Sequence, residues 1–283
     1  MIAVEKLIVQ LEQIIRNRIA SDRLAVPALP ATATRCITLL KDPDVDIKRL
    51  IALLETDPVY AALVVRAAST VSAGGAARSI EQAVLRVGTD ALRTLLLHAS
   101  ARSLFESPDS TIRHRLAQVW RHTVAVAVLA RDVAALIGAT DVEVCYLAGL
   151  FHDIGKPIVA GLLLEVERDS GKRDWISGDD WSRVVDTCHR SIGVALAEKW
   201  ALPPEVVVGV RDCVEYDDAD RQSAANVVIY CNGLAKINGF AAGAFDAEDA
   251  RAVVLIGRSM LDVDDAVVER LMSRIKDRTE VAP

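Results

Sequence analysis

Helix signals follow one another along this chain almost without a break, and no stretch alternates apolar and polar residues long enough to read as a strand. That pattern limits the fold to packed helices. Ile2, Leu7, Leu11, Ile14 and Ile15 fall near one face of a first helix. Val26-Pro27-Ala28-Leu29-Pro30 is a boundary, because proline disfavours helix at the residue before it. Ala31 to Leu40 reads as a short helix ended by Lys41-Asp42-Pro43-Asp44, and Asp46 begins another that runs to about Glu55. Asp57 is a predicted N-cap with Pro58 at the first helical position, and Val59, Leu63 and Ala67 follow at helical spacing.

Gly74-Gly75 breaks the pattern and reads as a loop hinge. Ser79-Ile80-Glu81-Gln82 then has the form of a capping box. Gly88-Thr89 separates that helix from one ending near Phe105, and Glu106-Ser107-Pro108-Asp109-Ser110 is a polar linker. A long helix is predicted from about Thr111 to Ile137, with Gly138 as its C-terminal cap and Asp141 starting the next. Further helices are predicted at Gly178–His189, Ser191–Trp200, Pro203–Cys213, Gln222–Asn238, Ala247–Ser259 and Asp264–Asp277, while Val166–Ser177 gives no clear reading.

Composition says what fills such a fold. Of 283 residues, 52% are apolar and only 4% aromatic, so the core must be aliphatic, built from Ala, Leu and Val. The length allows one large domain or two lobes. A net charge of -6 with no basic block argues against binding nucleic acid. Cys36, Cys145, Cys188, Cys213 and Cys231 are scattered and form no CxxC pair, which suits reduced, buried thiols. Charges at Glu5, Lys6, Glu12, Arg16 and Arg18 interrupt any signal-peptide core, and no run approaches about 18 uninterrupted apolar residues. A cytoplasmic protein without a membrane partner is expected.

The strongest chemical signal is Gly149-Leu150-Phe151-His152-Asp153-Ile154-Gly155-Lys156. His152 and Asp153 offer a nitrogen and an oxygen ligand from adjacent positions, and a metal would need further groups from other helices. His122 lies in register with Val126, Leu129, Val133 and Leu136, so it is predicted to point inward. An imidazole there needs a hydrogen bond or a ligating role, and both readings stay open. His189, in Asp186-Thr187-Cys188-His189, is a further candidate ligand. His98 and His114 read as ordinary polar or capping residues, and Asp217-Asp218-Ala219-Asp220 as a solvated loop and helix cap. Arg113, Arg115 and Arg121 read as a solvated face, with phosphate contacts near His122 as the other use. There is no G-x-x-x-x-G-K-[ST] loop and no G-x-S-x-G elbow.

At these residues the chain resembles the HDOD family, a branch of the HD metal-dependent phosphohydrolase superfamily. The resemblance runs from about residue 25 to about residue 240. It is carried in order by Leu29-Pro30-Ala31, Leu39 to Asp44, Thr56 to Val59, Ser79 to Val84 with Gly88, Trp120-Arg121-His122, Ala148 to Lys156, His189 to Gly193 and Trp200 to Pro203. It implies an all-α fold of two packed helical lobes. Residues 1–22 would form an N-terminal helix, 23–107 the N-terminal lobe, 108–240 an HD-like lobe and 241–283 C-terminal helices packed on the core.

The resemblance also implies a site of His122, His152, Asp153 and a distal Asp, and here that last position is Asn232. Arg211-Asp212-Cys213 stands where a His pair is common, so groups that could hold a second metal are missing unless Asp212 substitutes. An ion that activates water needs anionic ligands. The expected cofactor is therefore none, or one weakly bound Fe, Mn, Zn or Mg ion. The expected function is a bacterial signalling module that is not catalytic and works through protein partners. Two alternatives stand beside it: a divergent phosphohydrolase acting on a nucleotide or phosphoester, and a receptor for a small anion or nucleotide that uses Lys156 and Arg121. A homo-oligomer is also allowed.

Overall fold

The computed structural model describes residues 2–21, 27–71, 77–138, 141–171, 178–264, 266, 268–269 and 271–272. Among these residues every regular element is helical. The helices are α1 (Ile2–Ala20), α2 (Ala31–Leu39), α3 (Ile47–Glu55), α4 (Pro58–Val71), α5 (Ile80–Val87), α6 (Thr89–Leu104), α7 (Ser110–Ile137), α8 (Val142–Phe151), α9 (Lys156–Ser170), α10 (Gly178–Lys199), α11 (Pro204–Asp212), α12 (Ala224–Ala235) and α13 (Ala247–Leu261). The predicted all-α class is therefore observed. The Gly74-Gly75 break lies outside the described residues, as does most of the helix expected over Asp264–Asp277.

Local chemistry sets many of the boundaries. Asp46 caps α3 by accepting from Arg49 N, Asp141 caps α8 through Glu143 N and Val144 N, and Ser223 caps α12 through Asn226 N. Asp57 accepts from Val59 N at the start of α4. Ser79 accepts from Gln82 N, but the Gln82 amide oxygen reaches back to Arg78 N, one residue further out than a strict capping box requires.

By contact the chain falls into two compact units. The described residues of Ala28–Ser103 form one, and those of Met1–Pro27 with Leu104–Ala282 form the other. In the smaller unit α4 and α3 pack against α5 around buried Leu50, Leu54, Val64 and Val84. In the larger unit α7 and α8 pack along each other, and α12 lies against both. Their shared core holds Val126, Leu129, Val133, Val227, Val228 and Tyr230. The α10 helix packs on α9 and α11, with α1 laid against it. Trp200, just past the end of α10, donates from Nε1 to Pro27 O at 2.9 Å. All five cysteines are free and buried.

Two predicted boundaries differ. The chain over Gly178–Lys199 is one helix, not two, because the buried face of Val184, Val185, Cys188 and His189 continues unbroken through Ile192, Leu196 and Ala197. Helix was also predicted to Asn238, but α12 ends at Ala235 and gives way to a π-turn over Lys236–Phe240. Leu136, assigned to the inward stripe of α7, is 52% exposed, near the helix end. The apolar run Val142–Asp169, which contains α8, a turn and most of α9, is long enough to cross a membrane by composition, yet most of it is buried inside the fold.

Candidate metal centre

Three elements bring the chemical groups together. His122 projects from the middle of α7. His152 is the C-cap of α8, and Asp153 follows it in the turn to α9, so neither lies within a helix as the sequence suggested. His189 comes from α10. The turn packs hard against α10 at Gly155, where an added Cβ would lie 1.9 Å from His189 O and 2.9 Å from Gly193 N. Glycine is required there for space, since its φ of -74° suits any residue. That close approach sets His189 beside Asp153.

Each histidine is oriented by a backbone carbonyl. His122 Nδ1 donates to Phe240 O at 2.9 Å, His152 Nδ1 to Gly149 O at 2.7 Å and His189 Nδ1 to Asp186 O at 2.7 Å. A carbonyl can only accept, so the proton resides on Nδ1 and a neutral ring keeps a lone pair on Nε2. All three Nε2 atoms face one carboxylate. His122 Nε2 is 3.8 Å and His152 Nε2 3.4 Å from Asp153 Oδ2, while His189 Nε2 is 3.3 Å from Oδ1. His152 Nε2 and His189 Nε2 are buried without a hydrogen-bond partner. Lone pairs facing lone pairs in a dry interior are unfavourable unless a cation lies among them.

Electrostatics agree with the geometry. Burial lowers the pKa of His122 to about 3 and of His152 to about 4, against the pull of Asp153, so both rings are neutral at pH 7. Burial alone would raise the Asp153 pKa, but His152, Lys156 and His189 outweigh it and hold the carboxyl well below its ordinary value. His152 is itself neutral, so the positive charge that matters is Lys156, whose Nζ is 2.9 Å from Asp153 Oδ2.

Does the donor set fit an ion? The ligand atoms of His122, His152 and Asp153 all lie within 4.8 Å of one another. Groups bound about 2.1 Å from one ion sit roughly 3–3.5 Å apart, so a small inward movement would suffice. The two neutral imidazole nitrogens of His122 and His152 and the Asp153 carboxylate, with His189 Nε2 beside Asp153 Oδ1, suit a single borderline ion such as Zn, Mn or Fe(II). The carbonyls behind the rings are the outer support such ligands require.

The other predicted residues are placed differently. Asn232 is half-buried on α12, and its Oδ1 is buried with no hydrogen-bond partner. One turn on, Lys236 has a pKa lowered by burial, with smaller influences from the charges of Asp153 and Lys156. Arg121 is exposed, donates to Gly239 O at 2.7 Å and lies over the Phe240 ring. It braces the π-turn, where Gly239 adopts a φ of +89°. Asp212 is bound in an exposed pair by its neighbour Arg211 at 2.8 Å, so it does not serve as a replacement ligand. Cys213 Sγ receives Arg190 Nη1 at 2.9 Å. His114 is exposed beside Gln118, whereas His98 is buried in α6.

Sequence reasoning missed three contributors. Asp186 lies one turn before His189 and contacts Lys156, a spacing visible in the sequence. Lys236 could have been found at four residues past Asn232. The carbonyl of Phe240 has no sequence signal, because every residue has one.

Comparison with known proteins gives a consistent picture. A model of the HDOD domain matches residues 26–215. An uncharacterized protein of Treponema pallidum (strain Nichols) is 24% identical over 193 residues, which cover 66% of this chain and 37% of that one. The chain thus spans well under half of that relative's length. Among solved structures, a candidate metal-dependent phosphohydrolase from Shewanella amazonensis SB2B superposes with a TM-score of 0.72 at 21% identity, covering 99% of this chain and 100% of that one. A candidate signal transduction protein from Marinobacter aquaeolei VT8 superposes with a TM-score of 0.63 at 23% identity, covering 92% of this chain and 59% of that one. At these identities the structures establish the fold, and function must be argued from the site.

Proposed function

Because this chain belongs to the HDOD domain family, matched over residues 26–215, we propose that it is a regulatory signalling module that acts through protein partners rather than by catalysis. One observation carries the reading: among the donors clustered at the centre, Asp153 is the sole carboxylate, and Lys156 already pairs with it at 2.9 Å. Asn232 brings an amide where a second anion is expected from the resemblance. A bound ion would act as a Lewis acid toward a phosphoryl oxygen or a water molecule. Held by the imidazoles and the one carboxylate of Asp153, it would leave the site with a net single positive charge. His122, His152 and His189 would orient it through their Nε2 atoms, with their carbonyl partners fixing the rings. In this reading the centre fixes the packing of α7, α8 and α10, and the module works in the cytoplasm of a bacterium.

A divergent metal-dependent phosphohydrolase is the second reading, favoured by the unpaired Nε2 atoms of His152 and His189. The test is direct. Protein loaded with Mn, Fe(II) or Zn is offered p-nitrophenyl phosphate, its bis-ester and a cyclic dinucleotide. No turnover above buffer is expected. Turnover that disappears in Asp153→Ala and His152→Ala would reverse the conclusion.

A further inference from the structure

Lys156 stands where it can take a cation's place. Its Nζ lies 2.9 Å from Asp153 Oδ2 and 2.8 Å from Asp186 Oδ1. The two carboxylates differ sharply in setting: the Asp153 side chain is 5% exposed and that of Asp186 55%. Asp153 Oδ2 is also the atom that faces His122 Nε2 and His152 Nε2. The same oxygen therefore serves the ammonium and the ring nitrogens. A buried carboxylate with no compensating charge is strongly unfavourable, so this centre needs a cation in every state.

We propose that Lys156 is the resident cation of this centre, and that a divalent ion enters only by displacing its ammonium from Asp153 onto Asp186 at the rim. The Asp186 carboxylate keeps the lysine paired after the exchange, and its exposure leaves room for that movement. Two like charges cannot share one carboxylate oxygen in a dry site without strong repulsion. The metal affinity of the centre is thereby weakened by design of the fold, while the metal-free protein stays folded. The proposal deepens the reading of this same centre as a single-ion site, and it is judged by affinity and lysine exposure, whereas hydrolysis assays judge that reading.

The test uses the full chain, stripped of metal and titrated calorimetrically with Mn(II) and with Zn(II) alone. Lys156→Met is expected to bind about tenfold more tightly than the parent, and Asp186→Asn several-fold more weakly. Lys156→Gln repeats the first measurement if the Met variant fails to fold. Metal loading is also expected to raise acetylation of Lys156 several-fold, read by peptide mass spectrometry, since the ammonium moves toward solvent. Unchanged or weaker binding by Lys156→Met and Lys156→Gln would overturn the proposal. So would protection of Lys156 by metal, or a failure of every form to bind either ion.

Discussion

The two compact units treat buried polar groups in opposite ways. In Ala28–Ser103 the hydroxyls of Tyr60 and Ser100 meet at 2.9 Å, and Ser100 Oγ donates onward to Leu96 O at 2.7 Å, so the chain of bonds closes on itself. Arg93 Nε has no partner there, but the same guanidinium donates through Nη2 to Leu40 O. In the larger unit, His122, His152, His189 and Asp153 are each 5% exposed or less, and the Nε2 atoms of His152 and His189 are left without hydrogen bonds. Thr123 Oγ1 and Arg131 Nε are also unpaired in that unit. What separates the histidines and Asp153 from those is convergence. The Nε2 atoms of all three histidines face the one Asp153 carboxylate.

The largest expected effect tests whether tight packing creates that convergence. Gly155→Ala should destabilise the larger unit by on the order of 3 kcal/mol, because its Cβ would meet the His189 carbonyl and no flexible side chain can yield. Gly161→Ala, in α9 with nothing within 4 Å, is the control and should be neutral or gain up to about 1 kcal/mol. Urea unfolding of both variants decides it. Equal stabilities would mean that the approach of the turn to α10 is not what holds the site.

The next effect is a loss of stability on acidification. In the metal-free protein, His122 and His152 are held neutral with pKa values lowered to about 3 and about 4. Unfolding returns each to about 6.5. Between those values the unfolded chain binds more protons, so stability rises with pH there and is lost as pH falls from about 6.5 toward 4. Asp153 acts in the same sense at lower pH: its depressed pKa contributes stability above about 4 that disappears as pH falls through the folded value. Stability measured from pH 7 to pH 4 should therefore slope downward, and His152→Gln should flatten the slope. A parallel slope in that variant would show that the histidines do not set acid sensitivity.

The contrast between the units also explains what the sequence could disclose. Caps at Asp46, Asp141 and Ser79 were legible because each is a contract between residues two or three apart. His152 and Asp153 were legible because they are adjacent, and His122 because the period of α7 turned it inward. The continuity of α10 was not legible, since Ser191 and Gly193 weaken local helix preference and only the buried face restores it. Gly193 lies against Gly155, whose added Cβ would come within 2.9 Å of Gly193 N, a tertiary contact that no local pattern displays. The π-turn escaped for a similar reason, since its Gly239 is placed by φ and its Phe240 by a carbonyl. The pairing of Lys156 with Asp186 joins residues thirty positions apart, across a helix and a segment whose pattern gave no reading.

The smallest effect concerns the closed network, and its asymmetry is the informative part. Ser100 Oγ uses its single hydrogen on Leu96 O, so Tyr60 Oη must be the donor between the two hydroxyls. Tyr60→Phe removes that donor and leaves Ser100 still bonded, at a cost of about 1 kcal/mol. Ser100→Ala instead strands the buried Tyr60 hydroxyl, so it should cost more, roughly 1.5 kcal/mol. The double variant should lose less than the two singles added together, because once one partner is gone the other has nothing left to lose. Thermal or urea unfolding of the four proteins checks this. If Tyr60→Phe proved costlier than Ser100→Ala, the direction of donation would be reversed, and the Tyr60–Ser100 pair would no longer stand as the closed counterpart of the histidine centre.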